Sequence, residues 1–334
     1  MIQPDIFKNA LDLINSSSKI LVTTHTRPDG DACGSAAAIA QAIKAQGKKA
    51  AIMLLSELPE WYEFLFDENP IFFEPDKNLK PLDEADLIIL VDVNSDNQLA
   101  KFADWLKSSK KKVLVFDHHV TNDGLGDLEV IDTTASATGV IIFDFLKFAG
   151  WEAAEKIAAS IFVAISSDTG WFRFSNTDAR SFTVAAQLIG SGVKPNEIYR
   201  RLYENYSPQR FKLMTRMLSS LELHFDNRFA IQQLRLCDFE QNGASNKETE
   251  NLIDECRKIS GLEGAALLVE LKDGRVRCSL RSSGKIDVRN IAKEFGGGGH
   301  VFAAGAYLPG PLENARQILL ELLKKQFEIH FGGQ

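Results

Sequence analysis

Short apolar runs alternate with segments of helical periodicity through the first part of the chain. The runs at 86–93 and 112–116 are too uniformly apolar for half-exposed strands and are typical of central strands in a parallel sheet. This alternation predicts an α/β fold with a mostly parallel, doubly wound sheet. The predicted strands are 20–24, 49–55, 86–93 and 112–116, and the helices among them are 4–16, 35–45 and 99–106.

The later part of the chain follows a different pattern. Five helical segments come first, and a mixture of strands and helices then predicts a smaller α+β domain. Because 334 residues exceed what one core usually holds, we expect a first domain at 1–195, a helical linker at 196–226 and a second domain at 227–334. The helices are 136–148, 153–166, 179–189, 195–203 and 208–223; then come strand 229–236, helix 247–259, hairpin 265–271 with 275–281, helix 288–295, strand 302–308 and helix 312–327.

Composition and charge exclude several functional classes. The net charge of −7 argues against a long nucleic-acid footprint, since such binding neutralises many phosphates with Lys and Arg. No apolar run reaches the roughly 18 residues of a membrane helix, and the first residues lack the features of a signal peptide, so we expect a cytoplasmic protein without membrane partners. The four cysteines form no C-x-x-C pair, and reduced structural roles explain them.

Carboxylates and imidazoles follow several of the predicted strands and one helix. Since parallel strands end at one edge of a sheet, these groups are expected to converge there. A lone Asp after a strand is usually a turn or cap residue, but chance explains the whole set poorly. The set consists of His25, Asp29, Asp31, Asp92, Asp117, His118, His119 and Asp168.

Such a cluster requires cations, because clustered carboxylates repel one another and are costly to desolvate. Two divalent ions roughly 3.5 to 4 Å apart, bridged by one carboxylate, would activate a water and clamp a phosphoryl group. Carboxylates with a few imidazoles and no thiolate favour Mn²⁺ first, with Mg²⁺ next and Zn²⁺, Fe²⁺ or Co²⁺ as alternatives.

The motifs resemble those of the DHH phosphoesterase superfamily. H-x-x-x-D-x-D at 25–31, the strand-ending Asp92, D-H-H at 117–119 and S-D-T-G at 167–170 match in order and spacing. Gly-Gly-Gly-Gly-His at 296–300 resembles the signature of the DHHA1 domain. Together the two regions cover nearly the whole chain, and the two-domain build is similar to the NrnA-type oligoribonucleases, also called nanoRNase/pAp phosphatases.

This resemblance implies a role for each residue of the cluster. His25, Asp29 and Asp92 would hold one ion, and Asp31, Asp92, His118 and Asp168 would hold the other, with Asp92 as the bridge. His119 would face the substrate phosphate or the leaving oxygen. Asp117 would orient an imidazole, although a plain hydrogen-bonded strand end explains it equally well.

Substrate contacts are expected at several further positions. Arg173 is a candidate phosphate or base contact, although aromatic neighbours in a core with Arg173 directed outward would also explain it. In the second domain, Arg275, Arg277, Ser279 and Arg281 alternate onto one strand face, for which a solvated face is the alternative reading. The candidates there are Arg281, Ser282, Asn290, Gly297, Gly298, Gly299 and His300. The glycines permit close backbone approach and anion binding, and the resemblance to the DHHA1 domain implies the contacts of His300 and Asn290.

We therefore expect a metal-dependent phosphodiesterase that cleaves short oligoribonucleotides to 5′-mononucleotides and dephosphorylates pAp. Its partners would be pAp and di- to pentanucleotides rather than long duplexes, and it could form a homodimer. The alternatives are a cyclic di-AMP or linear dinucleotide (pApA or pGpG) phosphodiesterase and, from another class, a non-catalytic nucleotide sensor. A pyrophosphatase fits the arginine-bearing second domain less well.

Overall fold

The computed structural model describes residues 2–75, 77 and 80–331. It divides the chain into two compact units, Met1–Asn205 and Tyr206–Gln334, each with its own sheet and core. The division falls inside the segment expected to be a helical linker, so that one helix of this segment belongs to each unit. Among the described residues, no helix has both the length and the apolar character needed to cross a bilayer.

The first unit contains the predicted parallel sheet. Its strand order is β3-β2-β1-β4-β5-β6, and each pairing between neighbours is parallel. Two short edge strands, β3 and β6, are additions to the prediction, since runs of two and four residues carry little periodicity. The strands are β1 (Lys19–Thr23), β2 (Lys49–Leu54), β3 (Ile71–Phe72), β4 (Leu87–Val91), β5 (Lys112–Asp117) and β6 (Leu128–Ile131).

Helices cover both faces of this sheet. Alternate residues of β4 pack into two different cores, with Ile89 in one and Ile88 in the other, which confirms β4 as a central strand. A 3₁₀ segment lies at Glu60–Leu65. The helices are α1 (Pro4–Ser16), α2 (Gly30–Ala45), α3 (Lys80–Glu84), α4 (Asp96–Leu99), α5 (Lys101–Ser108), α6 (Thr138–Ala149), α7 (Glu155–Asp168), α8 (Ala179–Gly190) and α9 (Pro195–Tyr203).

Helix α2 begins earlier than the sequence prediction, at Gly30 rather than near 35. The Asp29 carboxylate caps it by accepting hydrogen bonds from the N–H groups of Asp31 and Ala32. Asp31 therefore lies in the first turn of the helix. Its spacing from β1 predicts a position in the loop before the helix, and that prediction is wrong. At Gly34 an added Cβ would lie 2.4 Å from the Ser160 carbonyl oxygen, so glycine is required for the close packing of α2 on α7.

The second unit has a mixed six-stranded sheet with the order β11-β12-β10-β9-β8-β7. Its pairings are antiparallel except for β8 with β9. The predicted hairpin and the final strand and helix are confirmed. The strands are β7 (Glu222–His224), β8 (Phe229–Leu234), β9 (Gly264–Glu270), β10 (Arg275–Ser282), β11 (Gly298–Gly299) and β12 (Ala303–Pro309). The helices are α10 (Pro208–Ser219), α11 (Leu236–Asn242), α12 (Val288–Lys293) and α13 (Leu312–Phe331).

The prediction of a helix at 247–259 is wrong. This region forms two 3₁₀ segments, Asn246–Thr249 and Leu252–Lys258, while the α-helix lies earlier, at α11. Asn251 separates the two segments with a left-handed backbone (φ 57°), which interrupts a continuous helix. The predicted helix 208–223 is also shorter, because Glu222–His224 pairs with β8 as strand β7.

Candidate metal centre

The carboxylates and imidazoles predicted to converge do so at one edge of the first sheet. They follow β1, β4 and β5 and stand at the end of α7. Three groups of ligand atoms form there, and within each group the atoms lie within 4.8 Å of one another. Oxygen and imidazole nitrogen ligands of this kind suit a divalent metal ion. The groups are His25, Asp29 and Asp92; Asp31, His118 and Asp168; and Asp92, His118 and His119.

Asp92 occupies the centre of this cluster. It is buried, directly after β4, in a left-handed backbone conformation (φ 57°), and its N–H donates to the Phe116 carbonyl oxygen. Its Oδ2 lies 3.5 Å from Nε2 of His25 and its Oδ1 lies 3.6 Å from Nε2 of His118. The two oxygens of one carboxylate thus face two different imidazoles, which is the arrangement that a bridging ligand requires.

The N-terminus of α6 holds Asp31. The N–H groups of Thr138 and Gly139 donate to its Oδ2 and Oδ1 over 2.6 and 3.0 Å, and Ser35 Oγ donates to Oδ1 over 3.0 Å. The positive end of a helix stabilises a carboxylate placed there. Sequence reasoning missed all three supports. Thr138 and Gly139 lie more than 100 residues from Asp31, and the only signal for them was a Thr-Gly pair near the start of a predicted helix. Ser35 lies only four residues after Asp31, but that spacing gave no sign of the contact, because the predicted helix began at 35 and left Asp31 outside it.

Backbone carbonyls orient the two imidazoles that face the Asp92 carboxylate. Nδ1 of His25 lies 2.8 Å from the Thr26 oxygen, and Nδ1 of His118 lies 3.1 Å from the Ala135 oxygen. These contacts place the N–H on Nδ1 and leave Nε2 as the ligand atom. Nε2 of His118 then lies 3.8 Å from Asp31 Oδ2 and 3.6 Å from Asp168 Oδ2.

The electrostatics of the cluster also fit a bound cation. Burial raises the pKa of the Asp31 carboxyl, and the nearby Asp168 and Asp29 raise it further. Burial likewise raises the pKa of Asp92, and the nearby Asp31 and Asp29 raise it further. Burial also raises the pKa of Asp168, although His118 opposes that rise. Like charges at this density destabilise the ionised form until a cation compensates them.

His119 is paired differently from His118. Its Nδ1 lies 2.8 Å from Oδ1 of Asp117 and 3.8 Å from Asp92 Oδ1, and its side chain is 41% exposed. The hydrogen bond that the His119 imidazole donates to Asp117 raises the pKa of His119, while burial opposes this rise. Asp117 itself is fully buried and, within the described part of the chain, no hydrogen bond reaches its Oδ2. The imidazole that Asp117 orients is therefore that of His119.

Arg173 lies in the segment that follows Asp168. Its Nε donates to the Gly170 carbonyl oxygen over 2.7 Å, and the residue is exposed. Asn176 anchors the same segment to the metal cluster, since its Nδ2 donates to the carbonyl oxygens of Asp168 and Ser136. Sequence reasoning did not identify Asn176 as an anchor.

In the second unit, the basic strand β10 alternates as predicted, with Val276, Cys278 and Leu280 buried. Nε of Arg281 lies 3.0 Å from Asp254 Oδ1, so an ion pair engages the guanidinium expected to bind phosphate. Ser282 is buried and its Oγ accepts from the Gly284 N–H.

The glycine run has a structural requirement of its own. Gly298 and Gly299 form β11, which pairs with β12. An added Cβ on Gly297 would lie 2.3 Å from the carbonyl oxygen of Gly305. Glycine is therefore required at this position because its backbone packs closely against the backbone of strand β12. His300 is exposed and follows directly, while the Asn290 side chain donates to Asp287.

Comparison with known proteins agrees with the motifs. The DHH family, N-terminal domain, matches residues 19–165, and the DHHA1 domain matches residues 226–328. The chain is 32% identical over 308 residues to the bifunctional oligoribonuclease and PAP phosphatase NrnA of Thermus thermophilus, covering 92% of this chain and 90% of that protein. The protein of the same name from Bacillus subtilis is 28% identical over 314 residues, 92% and 96% of the two chains.

A solved structure has the same fold. The exopolyphosphatase-related protein from Bacteroides fragilis superposes with a TM-score of 0.88 at 23% identity, covering 97% of both chains. The two family models and the two relatives named above confirm, at the level of the family, the prediction of a phosphoester hydrolase with these two domains. The chain therefore belongs to the DHH family of phosphoesterases and carries a DHHA1 domain, as its sequence motifs predict.

Proposed function

We propose that this protein hydrolyses short oligoribonucleotides to 5′-mononucleotides and removes the 3′-phosphate of pAp, as an enzyme of the cytoplasm. The observation that carries the proposal is the position of Asp92, whose two carboxylate oxygens face His25 and His118. A dinuclear centre needs one ligand that reaches both ions, and a buried carboxylate between two imidazoles meets that need.

The ligands divide into two sets around this bridge. His25 and Asp29 would complete the first site with Asp92, and Asp31, His118 and Asp168 would complete the second with Asp92. Two divalent ions, with Mn²⁺ as the first choice, would activate a water for attack on phosphorus and neutralise the phosphoryl charge. The backbone N–H groups of Thr138 and Gly139 keep Asp31 in place for this role.

His119 is proposed as the proton donor to the leaving oxygen. Asp117 raises the pKa of His119, which favours the protonated imidazole near neutral pH. Because Nδ1 of His119 is committed to Asp117, Nε2 is the atom that would carry the transferred proton. The partial exposure of His119 leaves it accessible to substrate.

Residues of the second unit are proposed to hold the substrate. Arg281 would exchange its ion pair with Asp254 for a phosphate, and His300 with the adjoining Gly297, Gly298 and Gly299 would contact a terminal phosphate. Ser282 and Asn290 lie near these positions in the sequence and are weaker candidates. Arg173 would contribute a further cationic contact from the first unit.

The relatives support the choice of substrate. The two proteins named above as bifunctional oligoribonuclease and PAP phosphatase match more than nine-tenths of this chain, so both domains of the proposed enzyme have counterparts in them. Their names describe two activities on short nucleotides. We extend both activities to this chain.

A substrate panel tests the proposal. The protein is assayed with Mn²⁺ or Mg²⁺ on pAp, on di- to pentanucleotides, on cyclic di-AMP and on pyrophosphate. We expect the highest kcat/KM on pAp and the short linear nucleotides, and loss of activity in Asp92→Ala but not in Asp12→Ala, which changes an exposed carboxylate. Preference for cyclic di-AMP or pyrophosphate would contradict the proposed substrate. Full activity in Asp92→Ala would contradict the proposed dinuclear centre.

A further inference from the structure

A cavity of about 300 Å³ lies in the first unit beside the segment that carries Asp168. This volume is at the lower end of the range for small-molecule sites, so the cavity has room for one compact ring system. Two aromatic rings and several polar side chains line it. The lining residues are Trp171, Pro195, Asn196, Tyr199, Arg200 and Glu204.

The rings of Trp171 and Tyr199 are arranged to receive a flat ligand. Their centroids lie 5.0 Å apart and their planes meet at 71°. A planar ring that stacks on one of them therefore meets the edge of the other, and both parallel and edge contacts are favourable between aromatic systems. Tyr199 is 38% exposed, so the site is accessible.

The backbone of the Trp171 segment is held in an unusual conformation. Gly170, Trp171 and Phe172 are consecutive left-handed residues with φ of 54°, 60° and 61°. Bulky residues rarely adopt this conformation, and each costs roughly 1–2 kcal/mol there. Hydrogen bonds from the N–H of Trp171 to Ser166 and from the N–H of Phe172 to Thr169 Oγ1 maintain it. Such local strain is typical of functional sites.

The polar groups in the cavity suit a nucleobase. In the described part of the chain, no side-chain hydrogen bond or ion pair engages Asn196, Arg200 or Glu204. An amide can pair with adenine, a carboxylate can accept from an exocyclic amino group, and a guanidinium can bind a guanine edge or a phosphate. Arg173 adds positive charge nearby, since its guanidinium opposes the rise that burial causes in the Tyr203 pKa.

The distance from the metal ligands is short. Trp171 follows Asp168 by three residues, so their Cα atoms lie at most about 11 Å apart. An oligonucleotide at the metal centre would carry a base one or two nucleotides from the hydrolysed bond at a comparable distance. Arg173 lies two residues beyond Trp171, within the same anchored segment.

We infer that the cavity lined by Trp171 and Tyr199 is a stacking site for one nucleobase of an oligonucleotide substrate, near the bond that is hydrolysed. The inference rests on the proposed function, because it assumes an oligonucleotide at the metal centre. Base stacking on aromatic side chains tolerates different sequences, so the site would favour substrates longer than one nucleotide without selecting a single sequence.

Single abasic substitutions test the inference. kcat/KM is measured on 5′-phosphorylated pentaadenylate and on five versions that each lack one base. At one position, removal of the base is expected to lower kcat/KM of the wild type roughly tenfold. A loss of this size is what the removal of one base stacked on an aromatic side chain typically causes. Tyr199→Leu should lose a similar factor on the intact substrate and show no further loss when that base is absent.

Two variants separate stacking from structural support. Tyr199→Phe keeps the aromatic face and should behave as the wild type. Tyr203→Leu is the matched control, because Tyr203 lies one turn along α9, contacts Trp171 with centroids 5.8 Å apart and does not line the cavity. It should keep the wild-type dependence on each base, and thermal unfolding verifies that all variants are folded.

Each other outcome overturns the inference. A wild type that is insensitive to base removal has no stacking site, and a Tyr203→Leu variant that matches Tyr199→Leu indicates a structural cluster. If sedimentation shows a wild-type dimer that Tyr199→Leu separates, a second copy of the chain occupies the surface. Absence of hydrolysis of intact pentaadenylate contradicts the proposed function itself, whereas hydrolysis without any base effect contradicts only the stacking site.

Discussion

The N–H of Thr138 donates a 2.6 Å hydrogen bond to Oδ2 of Asp31, across 107 positions of sequence. This bond joins the first turn of α2 to the first turn of α6. It fixes a buried carboxylate that would otherwise be repelled by Asp168 and Asp29. The position of α6 therefore determines the position of one proposed metal ligand, and disturbing the packing of α6 should weaken metal binding.

Gly139→Ala tests this dependence. An added Cβ would lie 2.5 Å from the Ala164 Cβ, so α6 must move away from α7 and from Asp31. We expect a loss of about 1–3 kcal/mol in unfolding free energy and weaker Mn²⁺ binding by calorimetry. Gly190→Ala is the control, since a Cβ there meets no neighbour and alanine favours the helix. Unchanged Mn²⁺ affinity in Gly139→Ala would contradict the proposed role of α6.

Asp92→Asn should make the metal-free protein more stable while it removes activity. The substitution relieves like-charge repulsion at a buried site, and asparagine tolerates the left-handed backbone of this position. The expected result in EDTA is a higher Tm than the wild type. Mn²⁺ should raise Tm in the wild type and much less in the variant.

The exposed Asp12 gives the control for this comparison. Asp12→Asn should leave both Tm values near those of the wild type. A lower Tm for Asp92→Asn in EDTA would mean that this carboxylate supports the metal-free fold.

The pH dependence of hydrolysis should report the pairing of Asp117 with His119. Since Asp117 raises the pKa of His119, Asp117→Asn should lower it. If His119 acts as the acid, activity falls as pH rises through its pKa, and the alkaline limb of the profile should move to lower pH in the variant. His119→Gln should remove this limb, whereas an alkaline limb that stays in place would exclude His119 as the proton donor.

Acid stability should depend on Asp132. Burial alone would raise the pKa of this carboxyl, but hydrogen bonds from Thr134 and Arg180 hold it at about 2. A depressed pKa stabilises the fold above the unfolded value near 4, and this contribution is lost as pH falls from about 4 to 2.

Asp132→Asn should therefore cost about 1–2 kcal/mol in unfolding free energy at pH 7 and almost nothing at pH 2. Denaturant unfolding at the two pH values measures the difference. Asp144→Asn changes the other carboxylate that pairs with Arg180 and serves as the comparison. An equal cost for Asp132→Asn at both pH values would show that packing, and not ionisation, is responsible.

Much of the fold follows from local pattern. The β4 run from Leu87 to Val91 is apolar at every position because both of its faces are covered, and that property is visible in the sequence. The 3₁₀ segments around Asn251 were not predicted, since a single left-handed residue interrupts the helical periodicity without altering the composition. The short strand β7 was also missed, because three residues acquire their structure from the neighbouring strand.

The amino-acid sequence by itself determined which carboxylates and imidazoles follow each strand or helix. It therefore determined which side chains can meet at one edge of the sheet. Only the tertiary structure decided how they meet. The capping of α2 by Asp29, the support of Asp31 by Thr138 and the pairing of His119 with Asp117 are contacts between side chains and groups fixed by backbone geometry and packing. The cavity of Trp171 and Tyr199 arises in the same way, because its two walls are brought together by the packing of α9 against the segment after Asp168.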